Sequence, residues 1–226
     1  MLLRRSAMMV LTVRSVRISS GPTVGQDAPV ISPAATSERV ASILAAACRV
    51  VVREGAHGLR MASVANEAGV SKALVHYYFS TRQELMRNAF AWSEARWQAA
   101  LDKEVAALHT GADRLERVLL TSIETAEPFS NPRALWNEVW SSLRYDDELR
   151  PLLDSSYRGW LDRIVALVEE GRRDGSIPVA VVATEAAWRL AAVGDGLDSM
   201  LYLGLLGRGE ARELMLGSIK REVAGQ

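Results

Sequence analysis

The chain of 226 residues is long enough for one large or two small units with real cores, and its 27 Lys and Arg balance its 27 Asp and Glu. Although 49% of the residues are apolar, no apolar run approaches the ~18 residues that span a bilayer, so no membrane partner is expected. The single cysteine, Cys48, excludes an internal disulfide framework and fits a reducing, cytoplasmic location.

Charge is unevenly spread along the chain. Residues 1–36 carry four Arg against one Asp, residues 37–90 seven basic against four acidic groups, and residues 91–226 sixteen against twenty-two. A basic contact module joined to an acidic body is the expectation.

Residues 1–36 read as a disordered extension or as the product of an early start codon. The apolar run Ala7 to Val13 faintly resembles a secretion signal, but Arg14 and Arg17 break it and no small-residue cleavage site follows. From Ser19 to Ser37 the chain is rich in Pro, Gly, Ser and Thr, a linker composition.

Helical periodicity then runs almost without pause. Ser37 is placed to cap a helix whose apolar positions Val40, Ile43, Leu44, Ala47 and Val51 share one face, with Gly55 and Gly58 ending it. Cys48 lies on that buried stripe as an inert packing group. A short helix from Ala62 to Ala68, a turn at Gly69, a cap at Ser71 and a second short helix from Lys72 to Phe79 follow. A long helix is expected from about Arg82 to His109, stopped by Gly111. Further amphipathic segments lie near Ala112–Glu127, Pro132–Tyr145, Glu148–Asp174, Val182–Leu206 and Glu210–Val223. Pro128, Asn131-Pro132, Gly175 with Pro178, and Gly207-Arg208-Gly209 punctuate them. No strand alternation of useful length occurs, so the class is all-α.

Two short helices around Gly69, braced by a preceding helix, form the layout of a helix-turn-helix. The second helix must stand proud enough to enter a major groove, so its inward residues are few: Val75 and Phe79, with Val70 at the turn. Its other face shows Lys72, Ala73, Leu74, His76 and Tyr77. Lys72 suits a phosphate or a guanine edge, and Ala73 and Leu74 suit thymine methyls. His76, Tyr77 and Tyr78 offer ring donors to phosphates, and Thr81 with Arg82 can hold the backbone at the next helix start. Aromatic packing alone does not account for these rings, because successive helical residues point about 100° apart and cannot all face inward.

The stretch "AAACRVVVREGAHGLRMASVANEAGVSKALVHYYFSTRQEL" resembles the DNA-binding domain of TetR-family transcriptional regulators. The resemblance covers about sixty residues and rests on Gly55, Val64-Ala65, Ala68-Gly69-Val70-Ser71, Phe79, and Arg82 before Glu84-Leu85. It implies a homodimer that binds double-stranded DNA at an inverted-repeat operator and is controlled by a small-molecule effector. The implied division is a helix-turn-helix domain at residues 37–97 and a helical ligand-binding and dimerisation domain at residues 98–226. The family's DNA-contacting positions fall on Lys72, Ala73, Leu74, His76, Tyr77, Tyr78 and Arg82, with Arg60, Ser71 and Thr81 beside them. Arg60 stands where the family has a capping Thr or Ser, so either a cap is lost or a phosphate contact is gained. Leu74 replaces a small polar residue and biases readout toward thymine. His76 replaces a Tyr and makes one phosphate contact pH-sensitive.

All six tryptophans follow this segment. Each suits core filling; together Trp97, Trp136, Trp140 and Trp160 can line a pocket for an apolar, aromatic or cationic molecule. The segment "VGDGLDSMLYLGLL" is similar to the C-terminal region of the BetI-type branch of the family. That similarity implies a four-helix dimer interface built from Ala191, Ala192, Leu197, Leu201, Leu214, Met215 and Ile219; an intramolecular hairpin is the alternative. Asp195 and Asp198 cap, pair with Arg189 or Arg212, or face a pocket, and a partner is expected for them.

Among function classes, a DNA-binding regulator that a ligand releases leads. An enzyme is disfavoured because His57, His76 and His109 lack metal-ligand spacing to one another or to Cys48, and no phosphate-binding glycine loop occurs. No cofactor or metal is expected. The remaining alternative is a helical dimeric sensor that acts through protein partners.

Overall fold

The computed structural model describes residues 33–121, 123–124, 132–143 and 149–223. Most of the expected N-terminal extension, the turns at Pro128 and Asn131, and the expected helix ends at Glu127, Tyr145 and Glu148 lie outside them. Every α-helix and turn among the described residues belongs to one all-helical architecture: α1 (Pro33–Glu54), α2 (Met61–Ala68), α3 (Lys72–Tyr78), α4 (Arg82–Ala106), α5 (Gly111–Leu120), α6 (Pro132–Ser142), α7 (Arg150–Asp174), α8 (Ala183–Tyr202) and α9 (Arg208–Val223). A single 3-10 turn, Ala56–Gly58, separates α1 from α2.

The expected cap at Ser37 is corrected by the structure: α1 starts at Pro33 and Ser37 lies inside it. Proline suits a first helical turn because its missing N–H has no partner to lose there.

Local chemistry sets the turns that aim α3. Gly69 adopts φ 66°, the left-handed geometry a glycine takes without strain, and Val70 N–H closes the turn on Ala65 O at 2.9 Å. Ser71 Oγ accepts Leu74 N–H at 3.1 Å and starts α3. Thr81 Oγ1 accepts Glu84 N–H at 3.0 Å, while Glu84 Oε2 accepts Ser80 N–H at 2.8 Å, so α4 begins with a reciprocal cap.

Two hydrophobic cores follow. The first joins Ile43, Leu44, Val50, Leu59, Val64, Val75, Phe79, Leu85 and Phe90 to Leu135 and Val139 of α6 and Leu149 and Leu153 at the head of α7. The second packs Leu101, Leu115, Ile164, Val168, Leu190 and Met215, among others, across α4, α5, α7, α8 and α9. Helix α4 runs through both, so the division expected at residue 97 falls in mid-helix.

The second core closes where α5 crosses α7. A side chain at Gly111 would strike the backbone of Gly171, and Gly111 N–H donates to Asp174 Oδ2 at 2.7 Å. The segment just past α7 supplies Ser176 Oγ to Ala112 N–H at 3.1 Å, so the start of α5 is capped from 63 and 64 residues away in sequence.

Candidate nucleic-acid interface and a small-molecule pocket

Helix α3 is two-faced in the manner its sequence demands. Val75 and Phe79 are buried in the first core, and Tyr78 is half-buried against it. Lys72, Ala73, His76 and Tyr77 are exposed, Tyr77 by 68%, and Leu74 is half-exposed. The three consecutive rings therefore fan from solvent to core: Tyr77 meets Tyr78 edge-on at 5.1 Å, and Tyr78 meets Phe79 at 6.5 Å.

The flanking residues divide differently. Arg60 is exposed and contributes no side-chain bond to the start of α2, so on the protein side the cap is lost. Ser71 and Thr81 are both exposed and both serve as caps. Arg82 Nη1 donates to Ala56 O at 3.3 Å and His57 O at 3.2 Å, tying the head of α4 to the 3-10 turn. Behind this surface Arg49 and Arg53 both grip Glu67, at 2.7 and 2.8 Å, and fasten α2 to α1. Cys48 is sealed beneath, its thiol pushed up to about 12 by burial.

A cavity of about 240 Å³ lies between α4, α6, α7 and α8, and Trp97, Trp136, Trp140 and Trp160 all line it. Its rings fall into two groups. Trp136 and Trp140 stand 6.0 Å apart and each lies 6.3 Å from Tyr157, whose other neighbour is Trp188 at 6.3 Å. Trp97 and Trp160 form a separate pair at 5.4 Å.

Carboxylates sit among these rings. Glu94 accepts the Trp136 indole N–H at 3.1 Å and the Ser156 hydroxyl at 2.7 Å. Tyr157 O–H donates to Asp195 at 2.7 Å, Asn137 donates to Asp198 at 3.1 Å, and Arg133 reaches both aspartates, at 3.1 and 3.4 Å. Burial raises the Glu94 carboxyl above its ordinary value, with the Ser156 and Trp136 bonds and Arg133 pulling the other way. Burial and the adjoining Asp195 raise the Tyr157 phenol, which therefore stays a donor.

Asp195 and Asp198 face the cavity and have partners, as expected, but the pairing with Arg189 or Arg212 is corrected. Arg189 pairs with Glu185 and Glu222, and Arg212 with Glu124, leaving Arg133 to serve the two aspartates. Sequence reasoning also missed Glu94, Arg133 and Tyr157 as pocket residues. The local signal was present for two of them: Glu94 precedes Trp97, and Tyr157 precedes Trp160, by one helical turn.

The expected dimer-interface residues separate into two sets. Ala191, Leu197, Met215 and Ile219 are buried in the chain's own second core, which leaves them almost no area for a partner. Ala192 and Leu214 are exposed and Leu201 half-exposed. The outward apolar residues of α8, α9 and their connection also include Trp188, Met200, Tyr202, Leu203 and Leu205.

Residues 111–224 match the family described as "BetI-type transcriptional repressor, C-terminal", and residues 43–89 match "Bacterial regulatory proteins, tetR family". The chain belongs to the TetR family of transcriptional regulators. Among its TetR-family relatives is the HTH-type transcriptional regulator BetI of Burkholderia cenocepacia, 28% identical over 160 residues that cover 70% of this chain and 79% of that one. A putative TetR-family regulator from a Rhodococcus species superposes with a TM-score of 0.74 at 27% identity, covering 82% of this chain and 99% of the other. A putative transcriptional regulator from Saccharomonospora viridis, solved in complex with choline, superposes with a TM-score of 0.75 at 25% identity, covering 83% and 98%. TetR-family membership makes the helix-turn-helix of α2 and α3 a DNA-binding element.

Proposed function

We propose that this chain is a homodimeric repressor whose two α3 helices read successive major grooves of an inverted-repeat operator, and that a small organic cation in the aromatic cavity releases it. The observation that carries this reading is the course of α4, which starts against α3 and the 3-10 turn and reaches Glu94 and Trp97 in the cavity wall.

On the DNA side, Lys72, Ala73, Leu74, His76 and Tyr77 form the reading surface, with Lys72 and Tyr77 on phosphates or base edges and Ala73 and Leu74 on thymine methyls. Arg60 lies on the rim as a phosphate ligand. Ser71, Tyr78, Thr81 and Arg82 hold α3 in position, so they affect DNA binding mainly through the protein. Dimerisation uses the exposed stripe of Trp188, Ala192, Leu201, Tyr202, Leu203 and Leu214, which is too apolar to remain in water.

On the effector side, indole and phenol faces attract a cation that water solvates poorly, and carboxylates balance its charge. The choline held by the Saccharomonospora regulator belongs to the same chemical class. Two recognition helices serve one operator when they stand about 34–36 Å apart. A cation that binds more tightly when α4 and α6 are displaced shifts the population away from that spacing. The site of action is the cytoplasm, where the DNA is.

The test is to sequence the DNA fragments that the protein retains in the cell. A two-fold symmetric motif, depleted when choline is supplied, is the expected result; no enriched motif, or a single unpaired half-site, overturns the reading.

A further inference from the structure

We propose that the effector is a dication: one positive centre rests against Trp136, Trp140 and Tyr157 beside Asp195, and a second rests on Glu94 near Trp97 and Trp160. This deepens, and rests on, the reading of the cavity as an organic-cation site.

Among the described residues, the charges lining the cavity are three carboxylates, Glu94, Asp195 and Asp198, and one guanidinium, Arg133. Arg133 is engaged with both aspartates, so that cluster keeps one negative charge in excess. Glu94 is a second negative centre, bonded to the neutral donors Ser156 and Trp136, with the Arg133 charge the smallest of the influences on its carboxyl. A single cation balances one of these centres and leaves the other in a partly desolvated, aromatic wall, where an uncompensated carboxylate is costly.

The ring geometry repeats the division. The Trp136–Trp140–Tyr157 group adjoins Asp195 through the Tyr157 hydroxyl. The Trp97–Trp160 pair lies one helical turn from Glu94 and Ser156, because residues 94 and 97 of α4, and 156 and 160 of α7, share their faces. Asp195 serves the first aromatic group, while Glu94 stands between the two, bonded to Trp136 of the first and one helical turn from Trp97 of the second. Burial makes Glu94 hold its proton more tightly than a free carboxyl does. A second cationic centre supplies the positive charge that the proton otherwise brings.

The experiment is calorimetric titration of the full-length protein with two pairs of probes matched in chain length: hexamethonium against hexyltrimethylammonium, and hexamethylenediamine against hexylamine. In at least one pair the dication binds tighter than its monocation by about tenfold, and Glu94→Gln reduces that preference to within about twofold. The pair showing the preference tells a bis-quaternary ligand from a protonated diamine. Equal or tighter binding of the monocation in both pairs overturns the dication while leaving the organic-cation reading intact. A preference that Glu94→Gln leaves at full size overturns the role of Glu94. No heat from any of the probes, or from choline, overturns the cation reading and this inference together.

Discussion

Trp136 of α6 donates its indole N–H to Glu94 of α4 at 3.1 Å while its ring packs edge-on against Phe90 at 5.5 Å. Phe90 is fully buried in the core beneath the helix-turn-helix. One side chain thus forms part of the cavity wall and also packs on the DNA-binding core. A ligand that moves Trp136 must also repack the surroundings of Phe90, because close-packed interiors transmit displacement rather than absorb it.

The Glu94 carboxyl makes stability pH-dependent. Its pKa in the folded protein lies above the ordinary 4.5 because of burial. Its contribution is therefore fully present below that value and is lost as pH rises through the higher folded value. The melting temperature of Glu94→Gln should rise relative to wild type as pH increases from about 4.5 toward neutrality. Differential scanning fluorimetry across that range checks it; a constant offset between the two proteins contradicts it.

The two faces of α3 should separate affinity from stability. Lys72→Ala and Tyr77→Ala remove exposed groups, so each weakens operator binding by about tenfold and leaves the melting temperature close to wild type. Tyr78→Ala removes a ring packed on the core and lowers the melting temperature. Fluorescence anisotropy with an operator duplex, paired with thermal melts, distinguishes these outcomes. Lys72→Ala should also reduce the salt dependence of binding by about one ion, the signature of a lost phosphate contact.

Gly111 of α5 and Gly159 of α7 should respond in opposite directions. A methyl at Gly111 would sit 2.5 Å from Gly171 Cα and 2.8 Å from Leu167 O, backbone atoms that cannot step aside. Gly111→Ala should cost about 1–3 kcal/mol or more. At Gly159, in the middle of α7, an added methyl meets nothing within 4 Å, and Gly159→Ala should stabilise by about 0.5–1 kcal/mol. Urea unfolding of both variants measures the contrast; equal effects contradict the packing at the α5–α7 crossing.

The cap at Ser71 isolates one local contribution. Ser71→Ala removes the oxygen that accepts Leu74 N–H and should lower stability by about 1 kcal/mol. It should weaken DNA binding less than Tyr77→Ala does, since the Ser71 oxygen acts as an acceptor within the protein and its loss reaches the DNA through the position of α3. A larger loss of affinity than Tyr77→Ala produces would make Ser71 a reading residue instead.

The helix-turn-helix was readable because its determinants are local. Gly69 for the left-handed turn and Ser71 and Thr81 as caps act within four residues of their partners, and Val75 and Phe79 are marked as the inward pair by their one-turn spacing on a short helix. The pocket was half readable. Its tryptophans announce themselves by size, but Trp136–Glu94, Tyr157–Asp195 and Arg133–Asp195 join residues 42, 38 and 62 apart, through helix crossings that periodicity does not specify. Arg189 and Arg212 looked nearer to the aspartates and instead pair with Glu185, Glu222 and Glu124. The outward stripe of α8 was hardest to read. Apolar residues fall on several sides of that helix, so its periodicity does not tell Leu197, which faces the core, from Met200, which faces water.

The most direct test follows the operator and the pocket in one titration. Fluorescent operator duplex is saturated with protein, choline or hexamethonium is added, and anisotropy reports release; the same titration is run on Trp140→Ala, whose ring is 56% exposed at the cavity and contributes little to the core. We predict release of the wild-type protein by the cation and a shift of the midpoint to at least about tenfold higher concentration in the variant. An operator that stays bound at every cation concentration, or wild-type and variant curves that coincide, would contradict control of α3 from the aromatic cavity.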